Sequence, residues 1–187
     1  MSKVPNLSVV VPVYNEEENV AKLVDEIAVA LKGEAYEMIF VNDASSDGTL
    51  EKLKNLKAKY PALRPISHRK NAGQSRAVRS GVMAAKGVYI ATLDGDGQND
   101  PADIPALYAQ ITRKDAPQGL ALVGGRRAKR QDSWAKKIGS RFGNGIRKKL
   151  LKDKADDTGC GLKVFTRDAF LRLPFFDHIH RLSLIHI

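Results

Sequence analysis

The sequence predicts an α/β fold in which a mostly parallel central sheet is covered by helices on both faces. Short apolar segments rich in β-branched residues alternate with segments of helical periodicity, and this alternation is typical of parallel sheets. A polar loop follows each apolar segment, as expected where the carboxyl ends of parallel strands form a ligand site. The chain has 187 residues, which is enough for one domain with its own hydrophobic core.

The first strand and helix are predicted within residues 7–33. The apolar residues 7–13 predict a buried strand, and Gly33 provides a stop for the helix that follows it. Asn15 and Glu18 are spaced as in a capping box, so we expect Asn15 to cap this helix. The helical period is carried by Val20, Leu23, Val24, Ile27 and Leu31.

Three more strands and two more helices follow in alternation. The predicted strands are residues 36–41, 63–68 and 88–93. Asp47 lies in the polar loop after the second strand, and we expect it to cap the second helix. His68 ends the third strand and is expected to be a packed or exposed side chain. A third helix is predicted to open at Asn71 and to run through Ala85.

The segment Asp94-Gly95-Asp96-Gly97-Gln98 follows the fourth predicted strand directly. It places two carboxylates and an amide at alternate positions, and its glycines let the backbone turn tightly around one hard cation. A divalent ion held by few carboxylates keeps open positions that suit a substrate diphosphate. The sequence therefore predicts a metal site formed by Asp94, Asp96 and Gln98, with a solvated Asp/Gly turn as the alternative.

The positive charge of the chain is concentrated in one segment. The formal net charge is +10, of which residues 1–112 contribute −1, residues 113–154 contribute +11 and residues 155–187 contribute none. Such a segment attracts phosphates on nucleic acid, on lipid head groups or on an anionic bilayer, and the alternative is a solvated helix face. Only Trp134 and Phe142 are interleaved with these basic residues, so base stacking is disfavoured and we expect no nucleic-acid partner.

Cysteine content and hydropathy exclude several protein classes. Cys160 is the single cysteine, which excludes an internal disulfide and favours a reducing compartment. The sequence contains no run of about eighteen apolar residues, so it predicts no membrane-spanning helix. The first residues lack the basic-then-apolar pattern of a secretory signal.

Four motifs, in this order along the chain, resemble family 2 glycosyltransferases. They are VPVYNE at residues 11–16, VNDASSDGT at 41–49, NAG at 71–73 and DGDGQ at 94–98. The Asp-x-Asp-x-Gln form, together with DTGCGLK at residues 157–163, resembles the polyprenyl-phosphate branch, which includes dolichyl-phosphate mannosyltransferases and undecaprenyl-phosphate sugar transferases. The match extends over about residues 7–181, nearly the whole chain.

The resemblance implies one Rossmann-like, nucleotide-sugar-binding domain of the glycosyltransferase A type over residues 1–181. It further implies an enzyme that transfers a sugar, with inversion of the anomeric centre, from a nucleotide-diphosphate sugar to a polyprenyl phosphate, with Mg²⁺ or Mn²⁺ as cofactor. An alternative is another acceptor such as a polysaccharide, although the Gln-x-x-Arg-Trp motif of processive synthases does not occur.

The implied donor-binding part comprises residues 1–112. Asn42 stands where many relatives carry the first Asp of an Asp-Asp pair, which leaves Asp43 to contact the base or the ribose. By the same resemblance Asp94 would lie near the ribose and the metal, and Asp96 and Gln98 would be its main protein ligands. The implied donor-binding residues are Pro12, Tyr14, Glu16, Asp43 and Asp94.

The implied acceptor-binding part comprises residues 113–181. Arg126 follows a strand end in a pattern that resembles Gly-Ser-Arg, and it would offer a bidentate fork to a phosphate. Asp157 would orient Lys163 or Arg126, or approach the sugar. The implied acceptor-phosphate residues are Arg126, Lys136, Ser140, Arg141 and Lys163, and the implied catalytic residues are Asp96, Arg126 and Asp157.

The last six residues, Leu182–Ile187, are expected to be a non-native tail, because one reading frame of a widely used transposon sequencing adapter encodes them. A genuine apolar C-terminus is the alternative. Relatives continue from about this point into membrane-associated helices, so we expect the family's membrane anchor to be absent from this sequence. The resemblance then implies a full-length protein at the cytoplasmic face of an anionic membrane surface.

Overall fold

The computed structural model describes residues 4–125 and 160–174. Within these ranges the strands are β1 (Leu7–Val13), β2 (Tyr36–Asn42), β3 (Leu63–Ser67), β4 (Tyr89–Thr92), β5 (Leu122–Gly124) and β6 (Lys163–Thr166). The helices are α1 (Val20–Ala30), α2 (Thr49–Lys59), α3 (Gln74–Ala84), α4 (Ile104–Thr112), which a 3₁₀ turn at Pro101–Asp103 precedes, and α5 (Arg167–Arg172).

The described strands form one sheet in the order β3-β2-β1-β4-β6-β5. β1 lies in its interior and pairs in parallel with β2 and with β4, and β2 pairs in parallel with β3. β6 is antiparallel to both of its neighbours, β4 and β5. β5 therefore runs in the same direction as β4, and β6 is the exception in a mostly parallel sheet.

Two apolar clusters, one on each face of the sheet, form the core. Val9 and Val11 of β1 belong to the cluster that packs against α1, α2 and α4, whereas Val10 belongs to the cluster that packs against α3 and α5. Successive side chains of a strand point to opposite faces, and every residue of β1 is buried. Burial on both faces explains why this strand is a nearly continuous apolar run in the sequence, interrupted only by Ser8.

The predicted cap of the first helix is wrong, and the second helix has Gly48 rather than the predicted Asp47 as its N-cap residue. α1 begins at Val20 with Asn19 as its N-cap residue, and Asn15 has a φ of 55°. Asn15 lies four residues before this N-cap residue and instead accepts a hydrogen bond from the Ser46 N–H at 2.9 Å. Asp47 lies one residue before Gly48 and accepts a hydrogen bond from the Thr49 N–H at 3.0 Å, in the first turn of α2.

Two further boundaries bear on the site and on the membrane. α3 begins at Gln74 rather than at Asn71, because Gly73 has a φ of 84° and ends the preceding loop. In the parts of the chain that the structure describes, no helix combines the length and the apolar character needed to cross a bilayer.

Candidate active site

A cavity of about 780 Å³ opens at the carboxyl ends of β1, β2 and β4. Parallel strands direct the loops that follow them to this edge of the sheet, which is where ligands bind in open α/β folds. The cavity brings together residues that the sequence analysis singles out in distant segments. These are Pro12, Tyr14, Glu16, Asp43, Asp94, Asp96 and Lys163.

The loop after β1 is tied to the loop after β2. The Asn15 N–H donates to Ser45 Oγ at 3.0 Å, and the Glu16 N–H donates to Thr49 Oγ1 at 2.9 Å. These bonds hold Glu16 at the cavity, and Tyr14, half exposed, lies beside it. An exposed aromatic ring next to a carboxylate offers both a stacking face and an acceptor to a planar ligand.

Asp43 is 3 % exposed and accepts several hydrogen bonds. Its Oδ1 accepts from the Ala72 N–H at 2.9 Å and pairs with His68 Nδ1 at 2.7 Å, and its Oδ2 accepts from the Gly73 N–H at 2.7 Å. The carboxylate thereby connects the end of β2 to the loop that begins α3. Asn42, which precedes it, instead donates through Nδ2 to Ser67 Oγ at 3.0 Å and so links the ends of β2 and β3.

Asp94 lies between three groups from different elements. Gln74 Nε2, at the start of α3, donates to Asp94 Oδ1 at 2.6 Å, and the Asp94 N–H donates to Asn99 Oδ1 at 3.3 Å. Gly161 approaches from the loop before β6, and a Cβ on it would overlap Asp94 Oδ2 and lie 2.6 Å from Asn99 Oδ1. Only a glycine at position 161 leaves room for this carboxylate.

Asn99 and Gly161 are absent from the predicted site. Asn99 directly follows the Asp-x-Asp-x-Gln motif and is buried, at 9 % exposure. A buried amide beside an acidic motif is a signal that could have indicated it. Gly161 is part of the quoted segment at residues 157–163, but its approach to Asp94 depends on the tertiary fold.

Asp94 and Asp96 are the predicted metal ligands that line the cavity, whereas Gln98 does not line it. Asp96 is exposed and accepts a hydrogen bond from the Gln98 N–H at 3.0 Å, across a turn in which Gly97 has a φ of 72°. The described residues contain no cluster of three or more metal-ligating side chains. The two carboxylates at this cavity nonetheless match a hard divalent cation that takes its other ligands from substrate and water.

Lys163 brings a positive charge to the same cavity. It is buried, at 9 % exposure, and its Nζ donates to the carbonyl oxygen of Cys160. The Gly125 N–H donates to the Leu162 carbonyl at 2.9 Å. Gly125 therefore lies beside the residue that precedes Lys163 at the start of β6. The other predicted acceptor and catalytic residues, namely Arg126, Lys136, Ser140, Arg141 and Asp157, lie outside the described residues.

A sequence profile described as Glycosyl transferase family 2 matches residues 8–173. The chain belongs to glycosyl transferase family 2. This agrees with the four motifs and with their convergence on one cavity, and it confirms the family predicted from the sequence.

Two curated relatives are similar to nearly the whole chain. A dodecaprenyl-phosphate galacturonate synthase of Rhizobium johnstonii is 34% identical over 178 residues, which are 94% of this chain and 52% of the relative. An undecaprenyl-phosphate 4-deoxy-4-formamido-L-arabinose transferase of Proteus mirabilis is 37% identical over 178 residues, which are 91% of this chain and 52% of the relative. The chain therefore spans about half the length of these family 2 relatives.

The fold is shared with a solved mannosyltransferase of Pyrobaculum calidifontis, which was determined in complex with GDP-Man and Mn²⁺. The TM-score is 0.66 at 22% identity, over 94% of this chain and 48% of that protein. This likeness confirms the predicted glycosyltransferase A-type α/β architecture of the family 2 chain.

Proposed function

We propose that the chain is the catalytic domain of a metal-dependent glycosyltransferase that moves a sugar from a nucleotide-diphosphate sugar to a polyprenyl phosphate. The observation that carries the proposal is the cavity in which Asp43, Asp94, Asp96 and Lys163 meet at the carboxyl edge of the sheet. Both curated relatives described above are named for a polyprenyl phosphate and a sugar. Binding experiments are needed to identify the sugar and the nucleotide base.

Residues 1–112 form the donor-binding part in this proposal. Pro12, Tyr14, Glu16 and Asp43 contact the base and the ribose, and all four line the cavity. The carboxylates of Asp94 and Asp96, with Gln98, would hold Mg²⁺ or Mn²⁺. Such an ion, when bound, neutralises the charge that develops on the leaving diphosphate.

Residues 113–181 form the acceptor-binding part. A phosphate monoester has a second pKa of about 6 and is therefore largely dianionic at neutral pH, so the nucleophile needs no strong general base. Its positively charged and hydrogen-bonding partners then determine its orientation, and orientation supplies much of the acceleration. In the proposal these partners are Arg126, Lys136, Ser140, Arg141 and Lys163, with Asp157 orienting the cations or approaching the sugar.

The buried position of Lys163 supports this arrangement. An ammonium group at a cavity that also contains Asp94 and Asp96 offsets their negative charge, so that two phosphate groups can approach the same space. The attacking phosphate oxygen forms the new bond to the anomeric carbon while the bond to the nucleoside diphosphate breaks. Direct displacement of this kind inverts the anomeric centre.

The full-length protein is proposed to act at the cytoplasmic face of a membrane, where polyprenyl phosphates are embedded. The basic segment 113–154 would contact the anionic surface, and each well-placed Lys or Arg contributes about 1 kcal/mol to such binding. The curated relatives are about twice as long as the matched region.

The test of the proposed function combines donor binding with transfer. Isothermal titration with UDP and GDP, each with and without Mn²⁺, should show metal-dependent binding of one nucleotide. A radiolabelled sugar should then pass to a short polyprenyl phosphate.

Asp96→Ala serves as the site variant and is our first prediction. It should abolish transfer and remove the effect of Mn²⁺ on nucleotide binding, because Asp96 is a proposed metal ligand. It should leave the melting temperature within about 2 °C of wild type, because an exposed loop carboxylate contributes little to stability. Full transfer by the variant would refute the metal assignment, and failure of wild type to bind either nucleotide would refute the function.

A further inference from the structure

His68 joins two groups on different elements. Its Nδ1 lies 2.7 Å from Asp43 Oδ1, and its Nε2 lies 2.9 Å from Ser80 Oγ on α3. An ionised carboxylate only accepts hydrogen bonds, so Nδ1 carries a proton, and in the neutral ring Nε2 accepts from the Ser80 hydroxyl. The side chains thus form a continuous chain of hydrogen bonds from α3 to the end of β2.

Three donors share the Asp43 carboxylate, which leaves one acceptor position on Oδ2 for a ligand. Oδ1 accepts from His68 and from the Ala72 N–H, and Oδ2 accepts from the Gly73 N–H, with the Ala72 N–H also 3.1 Å from it. The Asp43 carbonyl also accepts from Asn71 Nδ2 at 3.3 Å. The orientation of this carboxylate and the conformation of residues 71–73 are therefore coupled.

The same loop leads into the other carboxylate of the cavity. Gly73, with a φ of 84°, is the N-cap residue of α3, and the next residue, Gln74, donates to Asp94 Oδ1 at 2.6 Å. A displacement of the Asp43 side chain would thus be passed to Gln74 through the backbone of Ala72 and Gly73. The positions of Asp43 and Asp94 in the proposed donor site therefore both depend on the loop at residues 71–73.

His68 and Ser80 are not among the residues that line the cavity, whereas Asp43, Asn71 and Gly73 are. The His68 side chain is 16% exposed, and the Asp43 side chain is 4% exposed. His68 can therefore affect a bound nucleotide only through Asp43 and the loop that Asp43 holds. Loss of this donor would leave a buried carboxylate with an unfilled acceptor position, which favours its reorientation.

We propose that His68 is a positioning residue for the donor nucleotide, which fixes Asp43 and the loop at residues 71–73 in their binding conformation. Ser80 supports it by holding the imidazole ring in one orientation. The inference rests on the proposed function, because it assigns Asp43 to the nucleotide.

Two substitutions of His68 separate its hydrogen bond from its packing. His68→Phe keeps a planar ring but removes both hydrogen bonds, whereas His68→Asn retains an N–H donor near the position of Nδ1. Ser80→Ala removes only the partner of Nε2. Met83→Ala is the matched control, because Met83 lies on the same helix and is 56% exposed.

The first measurement is hydrogen exchange of the Ala72 and Gly73 amides in the ligand-free chain. We expect exchange to be at least about tenfold faster in His68→Phe, because the acceptor of both amides is no longer held. His68→Asn should remain within about threefold of wild type, Ser80→Ala should lie between the two, and Met83→Ala should match wild type.

The second measurement is the dissociation constant of the nucleoside diphosphate that wild type binds, UDP or GDP, with Mn²⁺ present. It should rise about tenfold in His68→Phe and recover in His68→Asn, while KM for the polyprenyl phosphate stays unchanged. A purely structural role would instead lower the melting temperature of both His68 variants and leave the dissociation constant unaltered.

The outcomes separate this inference from the proposed function. Wild-type nucleotide affinity and wild-type amide exchange in His68→Phe would overturn the role of His68 while leaving the function intact. Absence of nucleotide binding by wild type would overturn the function and, with it, this inference. If His68→Phe does not fold, faster exchange at Ala72 and Gly73 in Ser80→Ala supports the inference, and unchanged exchange there overturns it.

Discussion

A glycine at position 161 determines where the Asp94 carboxylate can lie. A Cβ at this position would overlap Asp94 Oδ2 and crowd Asn99 Oδ1. Both atoms are at the ends of side chains, so the chain can relieve the overlap by moving the carboxylate rather than by unfolding. The cost of the substitution should therefore appear in binding and not in stability.

Our second prediction follows for Gly161→Ala. We expect Mn²⁺-dependent nucleotide binding to weaken by about tenfold or more, because one hydrogen-bonded or metal-binding carboxylate is displaced. The matched control is Gly124→Ala, since Gly124 lies opposite Lys163 in the sheet but has open space where its Cβ would be. Calorimetric titration of both variants checks the prediction, and equal affinities for the two would contradict it.

At the scale of single residues, the sequence correctly predicts the position of the site residues that directly follow a strand. Asp43, Asp94 and Asp96 lie at the cavity because the carboxyl ends of neighbouring parallel strands share one edge of the sheet. Gly161 and His68 could not be assigned in this way, because their roles depend on contacts with residues far away in the chain. The assignment of each residue to base, ribose, metal or acceptor remains a prediction.

At the scale of elements, a buried polar cluster secures the amino-terminal end of the sheet, opposite the cavity. Glu37 of β2 is 5 % exposed and pairs with Arg64 of β3. It also accepts hydrogen bonds from the Ser8 hydroxyl of β1 at 2.8 Å and from the Lys86 N–H at 2.6 Å. The cluster therefore connects three adjacent strands and the turn before β4.

The pKa of Glu37 lies below its ordinary value. Burial by itself raises this pKa, but the hydrogen bonds from Lys86, Ser8 and Arg64 and the charge of Arg64 outweigh burial. A carboxyl whose folded-state pKa is depressed stabilises the fold above its unfolded-state pKa, about 4.3. That stability is lost as the pH falls through the folded-state pKa.

Our third prediction concerns Glu37→Gln. At pH 7 we expect the variant to be less stable by about 1–3 kcal/mol, because a charge-assisted network loses its acceptor. The difference should begin to narrow below about pH 4.3, where the unfolded state takes up a proton, and should disappear only below the lower folded-state pKa of Glu37. Glu51→Gln is the control, because it removes an exposed i,i+3 pair with Lys54 that contributes about 0–1 kcal/mol. Urea denaturation between pH 3 and 7 measures both, and a difference independent of pH would contradict the prediction.

Periodicity predicts β1, β2 and the helices that cover them, but not the antiparallel strand β6. β1 and β2 are largely apolar runs, interrupted by Ser8 and Glu37, and both are buried on their two faces; the sequence alone displays this pattern. β6 is only four residues long and pairs with β4 from a distant part of the chain, with Lys163 opposite Thr92. A short strand whose partner is remote leaves no local signal of its direction, and this strand positions Lys163.

At the scale of the whole molecule, the charge is divided along the chain. Residues 1–112 carry a net charge of −1 and residues 113–154 a net charge of +11. The residues of the proposed donor site all belong to the first of these segments. Among the described residues, Lys163 is the one proposed acceptor-binding cation that lines the cavity. Donor binding and acceptor use should therefore respond separately to mutation.

Our fourth prediction tests this division with Arg126→Ala. We expect use of the polyprenyl phosphate to fall by about tenfold or more, because a bidentate phosphate contact is removed. Affinity for the nucleotide should change less than about twofold, since the proposed donor contacts all precede residue 99. Steady-state kinetics with each substrate varied in turn provides the measurement, and an equal fall in donor affinity would show that Arg126 serves both sites.

Our last prediction is that the basic segment holds the chain on anionic membranes by electrostatic attraction. Each well-placed Lys or Arg contributes about 1 kcal/mol near an anionic surface. The screening length falls from about 10 Å at 0.1 M salt to about 3 Å at 1 M. The chain should therefore sediment with phosphatidylserine-containing vesicles at 0.1 M salt and be released from them at 1 M salt. It should not bind vesicles of neutral lipids.

Two quadruple variants with the same net charge show whether vesicle binding depends on the position of the lysines in the chain. One replaces Lys148, Lys149, Lys152 and Lys154 of the basic segment with Gln, and the other replaces the exposed residues Lys22, Lys54, Lys57 and Lys59 of α1 and α2. We expect the first to lose most vesicle binding and the second to retain it. Equal losses would mean that only the total charge matters, whereas binding that persists at 1 M salt would show that apolar contact, rather than the basic segment, attaches this chain to the bilayer.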